Sequence, residues 1–230
     1  MIVQLYLVGL YLQYLFVYNI WWVNLLWGIV MVAVATGTAL NRTQLRPQLL
    51  GVPLFVAFLI ASLLVALYFI GLVMTGEHMF DESFHFDLSQ LFDARYFIPM
   101  FGLLLGNMLG VNVLSLTTYY EGIRREHQMY HYLLGNGATR WEASQPFLRA
   151  AIIKSFSPCI ANMAVMGIVA MPGTMIGQIL GGSDPSMAIK YQMMIVVITF
   201  VASMISLMIT IRLANKRSFD HMGRLRKVFR

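Results

Sequence analysis

The stretch MIVQLYLVGLYLQYLFVYNIWWVNLLWGIVMVAVATGTALN, residues 1–41, contains no charged side chain. A helix that crosses a bilayer needs about 20 mostly apolar residues, so this stretch is long enough for two crossings. The polar and aromatic segment YNIWWVN, from Tyr18 to Asn24, interrupts it near the middle. Because backbone groups find no water in the hydrocarbon layer, both halves must be helical. The stretch therefore predicts a membrane hairpin.

The remainder of the chain extends this pattern. Hydrophobic residues make up 59% of the sequence and charged residues 11%, whereas a soluble domain carries about 25% charged residues. Apolar segments predict six spans, at about 2–18, 22–40, 50–74, 96–118, 150–172 and 188–211. We expect an all-α, polytopic membrane protein with a single transmembrane domain over residues 1–230.

Lysine and arginine concentrate on alternate connections. Apart from Arg95 and Lys190, they fall at residues 42–46, at residues 124–154 and in a tail at residues 212–230. The positive-inside rule places these basic segments in the cytoplasm, which predicts a multi-pass protein of the cytoplasmic (inner) membrane. The net charge of +6 suits contact with anionic membrane lipid, and we expect no nucleic-acid partner.

The polar connection at about 119–149, between spans 4 and 5, has an ordered pattern. A semi-apolar stripe of Ile123, His127, Tyr130 and Leu134 predicts a helix, and the glycines of Gly135-Asn136-Gly137 end it. Thr139 and Glu142 then form a capping box that opens a second helix, which Pro146 is expected to keep short. The pattern favours a rigid docking surface for a partner. An amphipathic helix resting on the membrane is the alternative.

Two features of span 4 point to helix contacts. Gly102, Gly106 and Gly110 recur every four residues and favour close helix packing. Asn107 and Asn112 lie beside them at membrane depth, where amides need partners. They either tie helices together or line a polar path.

The segment MPGTMIGQILGGSDP begins at Met171. Pro172 and Gly173 predict a break in the helix at membrane depth. Such breaks are tolerated where protein buries them or a cavity wets them. The segment is either part of a path, presenting Met171, Met175 and Gln178, or a simple outer turn.

Evidence for metal or catalytic chemistry is sparse. His78 and Glu82 of the acidic loop at residues 77–87 are spaced to share a metal on a helix, but a solvated acidic loop is the competing interpretation, and we assign no metal ligand. The single Cys159 is expected to be a small buried hydrophobe. The chain has no phosphate-binding loop and no GxSxG, HExxH or CxxC motif, so we expect no cofactor in this chain and no enzyme activity of its own.

The motifs FIPMFGLLLGN, LLGNGATRWEAS, LRAAI, MGIVAMPGTMIGQILGGSDP and AIKYQ occur here in this order. In these motifs the chain resembles the FetB-type permease family, membrane subunits of ABC transporters associated with bacterial iron export and similar to plant subunits linked to aluminium tolerance. Members of that family usually carry one more span upstream of the helix that contains Val3, Gln4 and Leu5.

The resemblance implies a permease that moves a metal ion. The energy would come from a separate subunit that binds ATP, and the permease would form a homo-oligomer such as a dimer. The family's coupling segment falls on Leu134, Gly135, Gly137, Ala138, Thr139, Glu142 and Ala143. Its membrane motif and signatures, with the asparagines above, give a path of Asn107, Asn112, Met171, Pro172, Gly173, Met175, Gly177, Gln178, Tyr191 and Gln192. A stand-alone secondary transporter or channel is the alternative function, and an accessory membrane scaffold is a third.

Overall fold

The computed structural model describes residues 2–78, 92–220, 225, 226 and 228, and these residues are almost entirely helical. Eight helices lie in the described part of the chain. Their bounds are α1 Ile2–Tyr18, α2 Trp21–Thr43, α3 Pro47–His78, α4 Ala94–Arg125, α5 His127–Gly135, α6 Arg140–Val165, α7 Gly173–Leu180 and α8 Pro185–Ser218. The acidic loop predicted to lie at residues 77–87 falls mostly outside the described residues.

The helices confirm an integral membrane protein. Four segments are long and apolar enough to cross a bilayer: Trp21–Thr43, Pro47–Phe69, Ala94–Arg125 and Pro185–Ser218. The other two predicted spans correspond to α1, which has 17 residues, and to α6, which carries four charged side chains. The count of six spans therefore stays a prediction.

The two helices predicted from the first 41 residues are present, joined by a short turn, and the membrane crossing of the first stays a prediction. The helix α1 ends at Tyr18 and α2 begins at Trp21, with Asn19 between them at a left-handed φ of 37°. The buried Asn24 donates from Nδ2 to the carbonyl oxygen of Phe92 at 2.8 Å. This bond ties the start of α2 to the segment just before α4 and pairs a buried amide N–H group that would be costly to leave unpaired.

The helix α4 lies at the centre of the bundle. It packs against α2, α3, α6 and α8, while α3 also packs against α8. Three hydrogen bonds join α4 to α8: Asn112 Nδ2 to Ser206 Oγ at 3.0 Å, Tyr119 Oη to Asn215 Oδ1 at 3.0 Å, and one between the hydroxyls of Tyr120 and Ser218 at 2.8 Å. The pairs advance together along both helices, so α4 and α8 run parallel and end on the same side.

The helix after Thr139 was expected to be short, and this prediction is wrong. The capping box forms, but α6 runs through Pro146 and Pro158 to Val165. Its residues Ala143, Phe147 and Ala151 are buried, and packing of this face on α4 outweighs the roughly 3 kcal/mol that an interior proline costs.

The predicted helix break is present at Pro172 and begins earlier in the chain, at Met166. The chain leaves α6 at Met166, and a tight turn with Gly167 at φ 85° precedes Pro172. Gly173 is the first residue of α7, so a left-handed conformation is not needed there. At the other end of α7, Gly182 takes that role at φ 92°.

Candidate functional site

Two features of the fold are candidates for function: a turn beyond α5 at the basic end of the bundle, and a cavity between α4, α6 and α8. We call residues 133–143 the elbow. The second feature is called the central cavity.

Backbone hydrogen bonds hold the elbow in one conformation. The N–H of Gly137 donates to the carbonyl of Leu134 at 3.1 Å, and that of Ala138 to the carbonyl of Leu133 at 3.1 Å. Gly137 has a φ of 88°, so the three features together form a Schellman motif. The predicted end of the first helix is therefore confirmed, although a break at Glu126 divides that helix into the end of α4 and α5.

The capping box begins α6 directly after this motif. The backbone N–H of Thr139 donates to Glu142 Oε2 at 2.7 Å, and the N–H of Glu142 donates to Thr139 Oγ1 at 3.3 Å. The hydroxyl of Thr139 also donates to Glu142 Oε2, at 2.7 Å. The bonds from the Thr139 backbone N–H and from its hydroxyl favour the ionised carboxylate and lower the pKa of Glu142, the backbone bond more than the hydroxyl bond. The charge also lies at a helix N-terminus, where a negative charge is favourable.

Aromatic contacts tie the elbow to the bundle. Tyr130 of α5 is buried, with its ring centroid 5.9 Å from Phe219 and 6.4 Å from Phe147. Burial raises the pKa of the Tyr130 hydroxyl, and the nearby Arg140 lowers it by a smaller amount. The helix α5, which leads into the elbow, is thus packed against both α6 and the residue that follows α8.

The seven predicted coupling residues differ in exposure. Gly135, Gly137, Thr139 and Glu142 are exposed, Leu134 and Ala138 are half-buried, and Ala143 is buried. The sequence analysis did not select Trp141, which is 46% exposed on the first turn of α6. An apolar groove begins beside it and is lined in part by Leu133, Pro146 and Ile152. Exposed tryptophan is frequent among the residues that dominate protein interfaces, and this signal was present in the sequence.

The central cavity has a volume of about 470 Å³ and lies between α4, α6 and α8, with α7 at one end. Its polar and sulfur-containing lining residues are Asn107, Ser155, Cys159, Asn162, Met163, Met166, Thr174, Gln192, Thr199 and Ser203. Gln192 is buried and donates from Nε2 to Met166 Sδ at 3.9 Å. The hydroxyl of Thr174 donates to Oε1 of the same Gln192 amide.

Of the ten residues predicted to form a path, two line this cavity: Asn107 and Gln192. Asn112 is fully buried in the contact between α4 and α8 and ties the two helices together. The others lie on or near α7 and α8 outside the lining: Met171, Pro172, Gly173, Met175, Gly177, Gln178 and Tyr191. Their role in a path stays a prediction.

The three glycines of α4 have different surroundings. A Cβ on Gly102 would lie 3.1 Å from Cε of Met31, so α2 approaches closely there. Gly106 and Gly110 line the central cavity, and in the described chain a Cβ on either would meet no atom within 4 Å. Helix packing on these two glycines therefore stays a prediction.

A recognisable pattern in the sequence marks two walls of the cavity. Cys159 and Met163 are four residues apart on one face of α6, Met166 directly follows that helix, and Thr199 and Ser203 of α8 are four residues apart. Residues at this spacing are neighbours on a helix surface. Such spacing is also typical of ordinary packing, so it did not identify a cavity. Among the described residues there is no group of three or more His, Cys, Asp or Glu side chains that could hold a metal ion.

Comparison with known proteins gives the chain's relatives. The model of the uncharacterised protein family UPF0014 matches residues 1–219. The membrane protein YjkA of Bacillus subtilis is 33% identical over 118 residues, which are 50% of this chain and 46% of the relative.

Two other relatives have names that mention a process. The probable iron export permease protein FetB of Escherichia coli is 29% identical over 123 residues, or 54% of this chain and 48% of the relative. The Arabidopsis thaliana protein ALUMINUM SENSITIVE 3 is 31% identical over 104 residues, which are 45% of this chain and 38% of the relative. The matches span about half the length of these relatives. No solved structure matches the chain.

Proposed function

The chain belongs to the UPF0014 family of membrane proteins, and on this premise we propose that it is the permease subunit of an ABC transporter. In this proposal a separate ATP-binding subunit supplies the energy and the cargo is a metal ion, with iron export as the expected process. The observation that carries the proposal is the continuous helix α6, which has the elbow at one end and the central cavity at the other.

The elbow has the properties of a docking surface. Its backbone is fixed by the Schellman motif and the capping box, so little conformational entropy is lost when a partner binds. Trp141 and Glu142 are exposed beside the apolar groove. An aromatic anchor next to a rigid turn allows a partner both to bind and to transmit force.

The central cavity offers neutral ligands to a passing cation. Amide and hydroxyl oxygens come from residues such as Asn107, Asn162 and Thr199, and sulfur comes from Cys159, Met163 and Met166. The described lining contains no carboxylate and no histidine. Conduction requires binding that is weak enough for release, and neutral ligands provide it.

The orientation follows from charge. Arg42, Arg124, Arg140 and Lys216 line cavities at one end of the described bundle, where α4 and α8 both finish. The positive-inside rule assigns this end to the cytoplasm, which is the side on which an ATP-binding subunit would act. We also propose that two copies assemble, because the described residues of one chain do not fully enclose the central cavity.

The test uses the full chain, co-expressed with the ATP-binding subunit and reconstituted in vesicles. Trp141→Ala should reduce co-purification of that subunit, and Gly106→Leu should block metal transport while co-purification is retained. Trp22→Ala is the matched control, since Trp22 is 62% exposed at the opposite end of α2 from Arg42. Equal loss of co-purification in Trp22→Ala and Trp141→Ala would contradict docking at the elbow.

A stand-alone secondary transporter or channel is the second candidate, because uncharged polar side chains line the cavity at membrane depth. Proton-coupled carriers often use an intramembrane carboxylate, and the described lining has none. Metal movement through vesicles that contain this chain alone, driven by an ion gradient, would support this candidate over the first.

A further inference from the structure

A second cavity lies at the basic end of the bundle, between the ends of α2 and α4 and the middle of α6. Its volume is about 760 Å³. Four cationic side chains line it, Arg42, Arg124, Arg125 and Lys154, together with two glutamates and the hydroxyl groups of three threonines. We call it the basic cavity.

Three of these cations have no ionic partner in the described part of the chain. Arg42, Arg125 and Lys154 are exposed, and no carboxylate of a described residue lies within 4.0 Å of any of them. The two glutamates of the lining, Glu121 and Glu126, leave two positive charges in excess. A cavity with an excess of one sign of charge raises the local concentration of ions of the opposite sign.

Helix dipoles explain only part of this arrangement. Arg42 lies in the last turn of α2 and Arg125 in the last turn of α4, where a cation interacts favourably with the helix C-terminus. Lys154 lies in the interior of α6, far from either helix end. Its side chain lines the cavity. Phe147 of α6 lies against Gly122 of α4, and Lys154 is seven residues, or about 10 Å, beyond Phe147 along α6.

This depth spans the headgroup layer of a membrane and reaches the edge of its hydrocarbon core. The cations at the ends of α2 and α4 mark the outer boundary of the cavity, and Lys154 marks its inner limit. The polar layer of a bilayer is about 5–8 Å thick on each side, given 40–45 Å in total around a core of about 30 Å. A lysine at this level can extend its amine toward the headgroups.

We propose that the basic cavity binds a phosphate group, that of an anionic phospholipid in the leaflet at this end of the bundle. Basic cavities between membrane helices are suited to such headgroups. Arg42 and Arg125 would contact the phosphate from the aqueous side, and Lys154 and Thr118 from the membrane side. The site does not depend on the proposed transport function.

The experiment measures lipid binding to the purified full chain. Native mass spectrometry in detergent would count bound phosphatidylglycerol and phosphatidylcholine, and inorganic phosphate would be added in a separate series. The variants are Arg42→Gln, Lys154→Gln and their combination. Lys154→Arg tests rescue by a conserved charge, and Arg217→Gln is the control, a cation at the same end of the bundle outside the lining of the basic cavity.

We expect the chain to retain phosphatidylglycerol over phosphatidylcholine. Each neutralised cation should weaken this binding about fivefold, the equivalent of about 1 kcal/mol per basic residue near the surface. Lys154→Arg and Arg217→Gln should bind as the unmodified chain does. Competition by millimolar inorganic phosphate would support the phosphate site while assigning it to a free anion. Equal retention of both lipids by the unmodified chain would overturn the proposal, whether or not the variants fold. Unchanged phosphatidylglycerol binding in the folded double variant would also overturn it.

Discussion

Replacing Gly137 with alanine should loosen the elbow. Gly137 has a φ of 88°, a region in which an L-residue with a Cβ is strained by about 1–2 kcal/mol. A Cβ added there would meet no atom of the described chain within 4 Å. The whole cost of the substitution is therefore backbone strain, and we expect the Schellman motif to open more often.

The matched control is two residues away. Gly135 is the last residue of α5, lies outside the left-handed region, and also has open space around an added Cβ. Alanine is favoured over glycine in a helix by about 0.5–1 kcal/mol. Gly135→Ala should therefore leave the elbow unchanged or stabilise it slightly.

The assay is hydrogen exchange at the Ala138 amide, which donates to the carbonyl of Leu133 at 3.1 Å. A cost of 1–2 kcal/mol should speed exchange about 5- to 30-fold in Gly137→Ala, with no acceleration in Gly135→Ala. With the ATP-binding subunit present, the same variant should hydrolyse more ATP per metal ion moved. Equal exchange in the two variants would refute the assignment of strain to Gly137.

Further predictions concern the capping box and the helix core. Thr139→Ala should cost the start of α6 about 1 kcal/mol, measured by exchange of the Glu142 amide, and Thr139→Ser should restore protection. Hydrogen bonds from Thr139 hold the pKa of Glu142 below its ordinary value of 4.5, so the box is fully formed above that pH and is lost as the pH falls through the lowered pKa. An NMR titration of the Thr139 amide should show this transition, and Glu142→Gln should abolish it. Asn112→Leu removes the 3.0 Å bond to Ser206 and should destabilise the protein by about 0.6–1.7 kcal/mol. Combining it with Ser206→Ala should recover part of that loss in thermal unfolding, because no unpaired hydroxyl remains.

The sequence predicted the local features that depend on a few neighbouring residues. The elbow is an example, since a left-handed glycine and a capping box require only short-range geometry. The arrangement of Arg42 and Arg125 at one end is another, because helices of fixed length determine which connections share a side.

Features that depend on packing were predicted less well. Pro146 indicated the end of a helix, but the lost backbone bond involves the carbonyl of Glu142, an exposed residue that water can reach. Burial of Phe147 and Ala151 against α4 then decides the length of α6. The cavity depends on the separation of α6 and α8, which no local pattern encodes, so Thr174 and Asn162 were not selected.

The continuity of α6 bears directly on how an elbow could affect a cavity. The helix has 26 residues, which correspond to about 39 Å. Phe156 contacts Phe200 of α8 with ring centroids 5.2 Å apart, whereas residues 157–165 have few buried side chains in the described chain. If α6 tilts about this ring pair, the elbow lies about 26 Å from the pivot and Val165 about 14 Å from it on the other side. A displacement of the elbow would then move the cavity wall about half as far in the opposite direction. A loop in place of α6 would absorb the same displacement, so the missed prediction about Pro146 concerns the feature on which the proposed coupling depends.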